Sequence, residues 1–174
     1  GTTGGTATSG SDYTAIPAGT KISVAAGAST GTYTLPVTND LLLEATETVT
    51  ATITNSSNAA VSITTPNATA NIIDNETATA ALSVTTQGNE AGPVDIVYTV
   101  TLSQVNNTGS AITFDIGTTG GTATSGSDYT AIPAGTKISV AAGASTGTYT
   151  LPVLDDVLVE STETVTATIS NSSN

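Results

Sequence analysis

Residues 94–103 read Val-Asp-Ile-Val-Tyr-Thr-Val-Thr-Leu-Ser and alternate cleanly between apolar and mixed positions. One face of this stretch carries four apolar residues, Ile96, Tyr98, Val100 and Leu102. Successive side chains of a β-strand point to opposite faces, so the pattern predicts a strand with one buried face. Thr and β-branched apolar residues suit such a pleated, half-buried surface, and they dominate the sequence on both sides of the stretch.

Similar short patterns flank this strand at intervals of roughly ten residues, separated by turns rich in Gly and Asn. They predict further strands over 77–86, 111–116, 136–141, 147–153 and 165–169, and over 60–64 and 68–73 in the earlier part of the chain. A glycine-rich stretch, 117–126, follows the strand predicted at 111–116. No helical period is visible, so the sequence predicts an all-β fold, an antiparallel β-sandwich of about seven short strands.

A long internal repeat organises the chain. Residues 1–58 recur as 117–174, an offset of 116, with differences only at positions 38, 39, 41, 43, 45 and 54 of the first copy. A period of this length suits a complete sandwich domain better than a solenoid turn, and near-identity suggests recent duplication within a long tandem array.

A repeat boundary is predicted at the turn Asp74-Asn75-Glu76. Residues 1–76 would then be the C-terminal part of one repeat and 77–174 the N-terminal part of the next, so that both copies are truncated. We expect the sequence to be cut from a longer polypeptide. The alternative is that a neighbouring chain supplies the missing strands by strand addition.

Composition excludes several classes of function. The 174 residues contain 14 Asp and Glu, 2 Lys and Arg together, and neither His nor Cys, for a net charge of −12. Two lysines cannot form a basic face, so nucleic acid is excluded as a partner. Catalytic sites that need His or Cys are impossible, and no apolar run is long enough for membrane insertion. We therefore expect a protein that is not an enzyme.

The pair Asp155-Asp156 with Glu160 could be compared with the two carboxylates of a glycoside hydrolase. Sugar-cleaving sites are lined by aromatic side chains, whereas this chain has only five Tyr and one Phe, mostly at predicted strand positions. This enzymatic interpretation is therefore disfavoured.

All acidic residues except Asp95 and Asp115 fall in two groups that occupy turns and strand ends. Such loops gather at the ends of a β-sandwich, where several carboxylates would repel one another unless a cation lay between them. Ca²⁺ prefers six to eight oxygen ligands in flexible geometry, so a calcium site is predicted. The alternative is a solvated acidic face that only keeps the protein soluble. The two groups are Asp12, Asp40, Glu44, Glu47, Asp74 and Glu76, and Glu90, Asp128, Asp155, Asp156, Glu160 and Glu163.

Two segments together resemble the Calx-beta repeat: Asp-Asp-Val-Leu-Val-Glu-Ser-Thr-Glu at 155–163 and Gly-Thr-Ala-Thr-Ser-Gly-Ser-Asp-Tyr at 121–129. The hairpin-like stretch 136–153 and the Ile-Ile-Asp-Asn-Glu ending at 72–76 extend the resemblance over essentially the whole chain. The family includes calcium-sensing domains of sodium–calcium exchangers and tandem modules of large bacterial surface proteins. The resemblance implies a seven-stranded immunoglobulin-like sandwich that binds calcium at one end, beside the following module.

The resemblance also implies which carboxylates ligate calcium. Asn39 stands where the second copy has Asp155, and Asn75 interrupts the acidic closing turn, so the first copy is expected to bind more weakly or to hold fewer ions. The implied ligands of the second copy are Glu90, Asp128, Asp155, Asp156, Glu160 and Glu163, and those of the first are Asp12, Asp40, Glu44, Glu47, Asp74 and Glu76.

The expected function is that of a calcium-stiffened spacer in the stalk of a secreted or surface-anchored adhesin, extracellular and bacterial. Its expected partners are neighbouring repeats of the same polypeptide. Two alternatives remain: a subunit of a filament or surface layer with strands shared between like chains, and a module that binds a glycan or a protein directly.

Overall fold

The computed structural model describes residues 1–173, and every pairing between the nine strands of this range is antiparallel. The all-β class is thus confirmed. No helix in the described range has the length and apolar character needed to cross a membrane. The strands are β1 (Thr2–Gly5), β2 (Glu47–Thr52), β3 (Asn67–Ile72), β4 (Ala80–Thr86), β5 (Ile96–Leu102), β6 (Ile112–Gly121), β7 (Lys137–Val140), β8 (Thr146–Leu151) and β9 (Val165–Ser170).

The chain forms two compact units. Unit 1 consists of Gly1–Leu41 and Ala45–Asn75, and unit 2 consists of Leu42–Glu44 together with the chain from Glu76 onward. Three residues from the middle of the first repeat, Leu42–Glu44, therefore belong structurally to unit 2.

Unit 2 is a sandwich of two three-stranded sheets, in the orders β4-β5-β8 and β7-β6-β9. Alternate residues of both sheets are buried in one apolar cluster, because each strand presents every second side chain to the same face. The hydroxyl of Tyr98 in β5 donates a hydrogen bond of 3.0 Å to the carbonyl oxygen of Val165 in β9, which links the two sheets. The buried members are Leu43, Tyr98, Val100, Leu102, Ile112, Phe114, Ile116, Tyr129, Ile138, Val140 and Leu151.

The predicted inner face of β5 is confirmed, but the predicted end of β6 is wrong. The strand continues past Ile116 through the glycine-rich stretch to Gly121, because these residues pair with β9 across a bulge between Thr118 and Gly120. Gly121, which pairs with Val165 beyond the bulge, has a φ of 121°, and a Cβ there would overlap the carbonyl oxygen of Thr164. Only glycine fits this backbone conformation without strain.

Unit 1 is a three-stranded sheet in the order β1-β2-β3. Its β1–β2 pairing repeats the register of β6 and β9, with Gly5 opposite Val49 as Gly121 is opposite Val165. The strand predicted over 60–64 is wrong, since this segment is turn and irregular structure and its Val61 and Ile63 are exposed. A short alternating run does not become a strand unless an edge and an apolar face receive it.

Identical sequences adopt different structures in the two units. Lys137–Val140 is β7 and pairs with the first half of β6, whereas the same residues at 21–24 form no strand in unit 1. The partner residues of β7 and β8 lie in 96–116, and the sequence of unit 1 contains no copy of that stretch.

Candidate metal centre

A tight loop fixes Asp128 at one end of unit 2. The backbone N–H of Thr124 donates to Oδ2 of Asp128, and the backbone N–H of Asp128 returns a bond of 3.0 Å to the carbonyl oxygen of Thr124. The next residue, Tyr129, is buried in the core and pairs with Val153. Asp128 is therefore a nearly buried carboxylate that side-chain motion cannot easily reorient.

The backbone N–H of Thr124, which orients this carboxylate, is not among the groups predicted from the sequence. The same bond joins the N–H of Thr8 to Oδ2 of Asp12 in unit 1. A threonine four residues before the aspartate, present in both copies, was the available signal. Such local bonds from a backbone N–H to an Asp side chain shape turns and loops.

Two further carboxylates lie beside Asp128. Ligand oxygens of Glu90, Asp128 and Glu160 all lie within 4.8 Å of one another. Glu90 lies in the turn between β4 and β5, where Asn89 and Val94 exchange two backbone hydrogen bonds of 2.9 and 2.7 Å. Glu160 lies between β8 and β9. Three separate connections of unit 2 thus bring one carboxylate each to the same place, and we call this set the acidic cluster.

The acidic cluster is electrostatically unfavourable without a cation. Desolvation, followed by the negative charges of Asp128, Asp156 and Glu90, raises the pKa of Glu160 above its ordinary value. The pKa of Glu163 is also raised, first by a side-chain hydrogen bond with Asp128 and then by desolvation and the neighbouring acids. A hydrogen bond between two carboxyl groups requires that one of them holds a proton. The site therefore favours any positive species, proton or metal ion, that enters it.

The residues fit calcium. Two oxygens that each lie about 2.4 Å from one Ca²⁺ are at most about 4.8 Å apart, and the pairwise separations of the three carboxylates meet this condition. The sequence has only two basic side chains, and Lys137 is engaged in an ion pair with Asp115 of β6. The donor set is made of hard oxygens, which suits calcium rather than softer transition metals.

Unit 1 repeats part of this arrangement. Oxygens of Asp12 and Glu47 lie within 4.8 Å of each other. Glu47 begins β2 and is opposite Ile72 of β3. Its counterpart Glu163 precedes β9 instead of lying within it.

The remaining predicted ligands lie at varied positions. Asp155 and Asp156 are both exposed and neither is grouped with the acidic cluster, and Asp156 accepts a hydrogen bond of 2.6 Å from the N–H of Leu158. Glu44 is half-buried in the segment Leu42–Glu44 of unit 2. The other three, Asp40, Asp74 and Glu76, are half-buried and interact with other groups of the chain.

The fold and the acidic cluster define a class of protein, a tandem β-sandwich module with carboxylates gathered from its loops. The family model of the Calx-beta domain matches residues 1–76 and 83–174, and the chain belongs to the Calx-beta family. The expected resemblance is thereby confirmed, and family membership supports a role as a calcium-binding module. Neither the comparison with curated proteins nor that with solved structures finds a match.

Proposed function

We propose that the chain is a calcium-binding structural segment of an extended adhesin stalk, secreted or anchored at a bacterial cell surface, without catalytic activity. The observation that carries the proposal is the acidic cluster, in which Glu90, Asp128 and Glu160 converge from three connections of one unit. Tandem repetition supports a spacer role, because near-identical modules lengthen a chain without adding a new chemistry.

The residues of the cluster have distinct roles. Asp128 is the fixed ligand, because the Thr124 N–H orients it and the buried Tyr129 anchors its loop. Glu90 and Glu160 lie on connections that the core does not bury, so their mutual repulsion acts to spread these loops apart. Bound calcium supplies the positive charge that offsets this repulsion. With the three connections held together, the end of the module becomes stiffer, and an array of such modules becomes an extended rod.

The proposed location follows from the affinity that such a site requires. Extracellular calcium-binding modules work with dissociation constants of about 10⁻⁴–10⁻³ M, which suits loosely organised carboxylate ligands. A site of this strength would remain mostly empty at the far lower free calcium inside cells. We therefore propose that the stalk functions outside the cell, where it holds a distal adhesive domain away from the surface.

Thermal unfolding tests the calcium site. At calcium about tenfold above the dissociation constant, binding stabilises the folded state by about 1.4 kcal/mol. For a unit of this size we expect the melting temperature to be about 5 to 10 °C higher in millimolar Ca²⁺ than in EDTA. Asp128→Asn keeps an acceptor for the Thr124 N–H but loses a charged ligand, so it should remove most of this difference.

The matched control is Asp95→Asn. Asp95 lies outside the acidic cluster and accepts a hydrogen bond of 3.0 Å from the N–H of Val153, which an Asn oxygen can also accept. This variant should retain the full calcium-dependent difference. Equal melting temperatures of the original chain in Ca²⁺ and in EDTA would contradict the proposal.

One observation favours strand sharing between chains as a second candidate function. Ile22 and Val24 of unit 1 are exposed, whereas their counterparts in unit 2 are buried between sheets. A strand supplied by another chain would cover them, as in strand addition. Mass measurement of the protein in calcium distinguishes strand sharing from the proposed stalk function, since a monomer at micromolar concentration contradicts strand sharing.

A further inference from the structure

One apolar residue of the first repeat is built into the core of unit 2. Leu43, in the segment Leu42–Glu44, is only 6% exposed and belongs to the same buried cluster as Leu102 and Val140. It forms a β-bridge with Asn106, and its carbonyl oxygen accepts a hydrogen bond of 3.0 Å from the N–H of Asn107.

The receiving loop is preorganised by Asn106, which is fully buried. Its side-chain Nδ2 donates to the carbonyl oxygens of Ser110 and Val140, at 2.8 and 3.0 Å. Its Oδ1 accepts from the N–H and the hydroxyl of Thr108, at 3.1 and 2.7 Å. Every polar atom of the Asn106 side chain is therefore bonded to other residues of the loop or to β7, whereas the backbone N–H of Asn107 donates to Leu43. We call Asn106, Asn107 and the adjoining apolar cluster the Asn106 socket.

The second repeat carries the same apolar segment without a socket. One period after Leu41-Leu42-Leu43 the chain reads Val157-Leu158-Val159, followed in both copies by Glu. Leu41 and Val157 are 82% and 97% exposed, so this position of the segment faces solvent in both copies. Val159 is fully exposed although Leu43 is buried, and it is the position at which the two segments differ most.

We propose that Val159 docks into the Asn106 socket of a following copy of the repeat, in the way that Leu43 docks within unit 2. The socket present in this chain is filled by Leu43, so the free segment needs another copy. The second copy has Val157 and Val159 where the first has Leu41 and Leu43, so both side chains remain apolar, as a buried contact requires. A contact that joins one end of a repeat to the opposite end of the next is heterologous and continues along an array of any length.

This inference goes beyond the proposed calcium-binding function, because the contact is apolar and uses none of the carboxylate ligands. It implies that successive repeats are connected by a side chain in a socket as well as by the polypeptide. The contact should therefore form in EDTA, and its test is carried out there, so that a failure of the calcium proposal leaves the result unaffected.

The test uses thiol labelling, because the chain contains no Cys. In the 174-residue protein, Leu43→Cys should be protected and Val159→Cys should react at the rate of an exposed thiol. The protein is then lengthened by a second copy of residues 59–174 after residue 174, which provides a new socket. Val159→Cys should now react at least about tenfold more slowly, since labelling requires the docked segment to open.

Val157→Cys is the matched control, because its counterpart Leu41 stays exposed beside the docked Leu43. It should react at the same rate in the short and lengthened proteins. A second readout is the variant Val159→Asp, which should lower the melting temperature of the lengthened protein and leave that of the 174-residue protein unchanged. Equal labelling of Val159→Cys in both lengths, or an Asp variant without effect in either, would overturn the proposal.

Discussion

Gly121 occupies a backbone conformation in β6 that a side chain cannot share. Its φ is 121°, and an added Cβ would overlap the carbonyl oxygen of Thr164 on the neighbouring strand. Gly121→Ala should therefore cost about 1–3 kcal/mol of the free energy of unfolding, the usual strain of such a position. At the adjacent Gly120, no atom beyond its two chain neighbours lies within 4 Å of the place that a Cβ would take, so Gly120→Ala is the control and should change stability by less than about 0.5 kcal/mol.

Urea denaturation of the two variants measures this difference directly. Because both glycines lie in the same strand, a general effect of replacing Gly by Ala on β-structure propensity would act on both equally. Equal destabilisation would show that the bulge tolerates a side chain at Gly121.

At the level of single residues, the sequence distinguishes the acidic residues with a structural role from those predicted as calcium ligands. Asp95 and Asp115 lie outside the two acidic groups of the sequence, and each has a structural partner. Hydrogen bonds from Lys137 and then from Asn171 lower the pKa of Asp115 below its ordinary value. Sequence spacing could not show side-chain direction: the charge of Asp156 acts on Glu160, but Asp155 and Asp156 both remain exposed and outside the acidic cluster.

Among the elements, β7 shows how far the partner strand determines structure. Ile138 is fully buried in β7, while the identical residue Ile22 of unit 1 is 45% exposed in a segment that is not a strand. Ile138→Ala should cost about 2–4 kcal/mol of the free energy of unfolding, because it leaves a cavity in the core. Ile22→Ala, in the same local sequence, should cost less than about 0.5 kcal/mol.

The unfolding of each variant can be followed by circular dichroism in urea. The pair is closely matched, because residues 1–37 and 117–153, which surround the two positions, are identical in sequence. If Ile22→Ala destabilised the protein as much as Ile138→Ala, this result would contradict the exposed position of Ile22 in unit 1.

This comparison also explains which elements the sequence could predict. Alternation predicts the strands β4, β5, β7, β8 and β9 to within a few residues, because the partner strand of each is present in unit 2. Residues 60–64 form no strand, because no strand of the described chain pairs with them. Strand β6 extends further than expected, because its glycine-rich end pairs with β9. Alternation identifies residues that can form a strand, and the available partners decide which of them do.

At the scale of the whole molecule, part of the net charge of −12 is concentrated where three loops of unit 2 meet. The sequence predicted this concentration from the two acidic groups, and the structure brings Glu90, Asp128 and Glu160 together across a separation of 70 residues along the chain. Stability should therefore depend on whatever positive species occupies the acidic cluster, and its dependence on pH should change sign between calcium-free and calcium-loaded protein.

In EDTA, Glu160 and Glu163 have pKa values above those of an unfolded chain, so the folded state binds protons more tightly. As the pH falls from 7 through the raised pKa values towards the ordinary Glu value of about 4.3, the free energy of unfolding should rise. In millimolar Ca²⁺ the same acidification should lower the melting temperature, because protons compete with the ion for the carboxylates. Measurements stay above the ordinary Asp pKa of about 3.9, since the ion pair of Asp115 is lost as the pH falls through its lowered pKa. Glu160→Gln should weaken both trends, and trends of the same sign in the two media would contradict a shared site for protons and calcium.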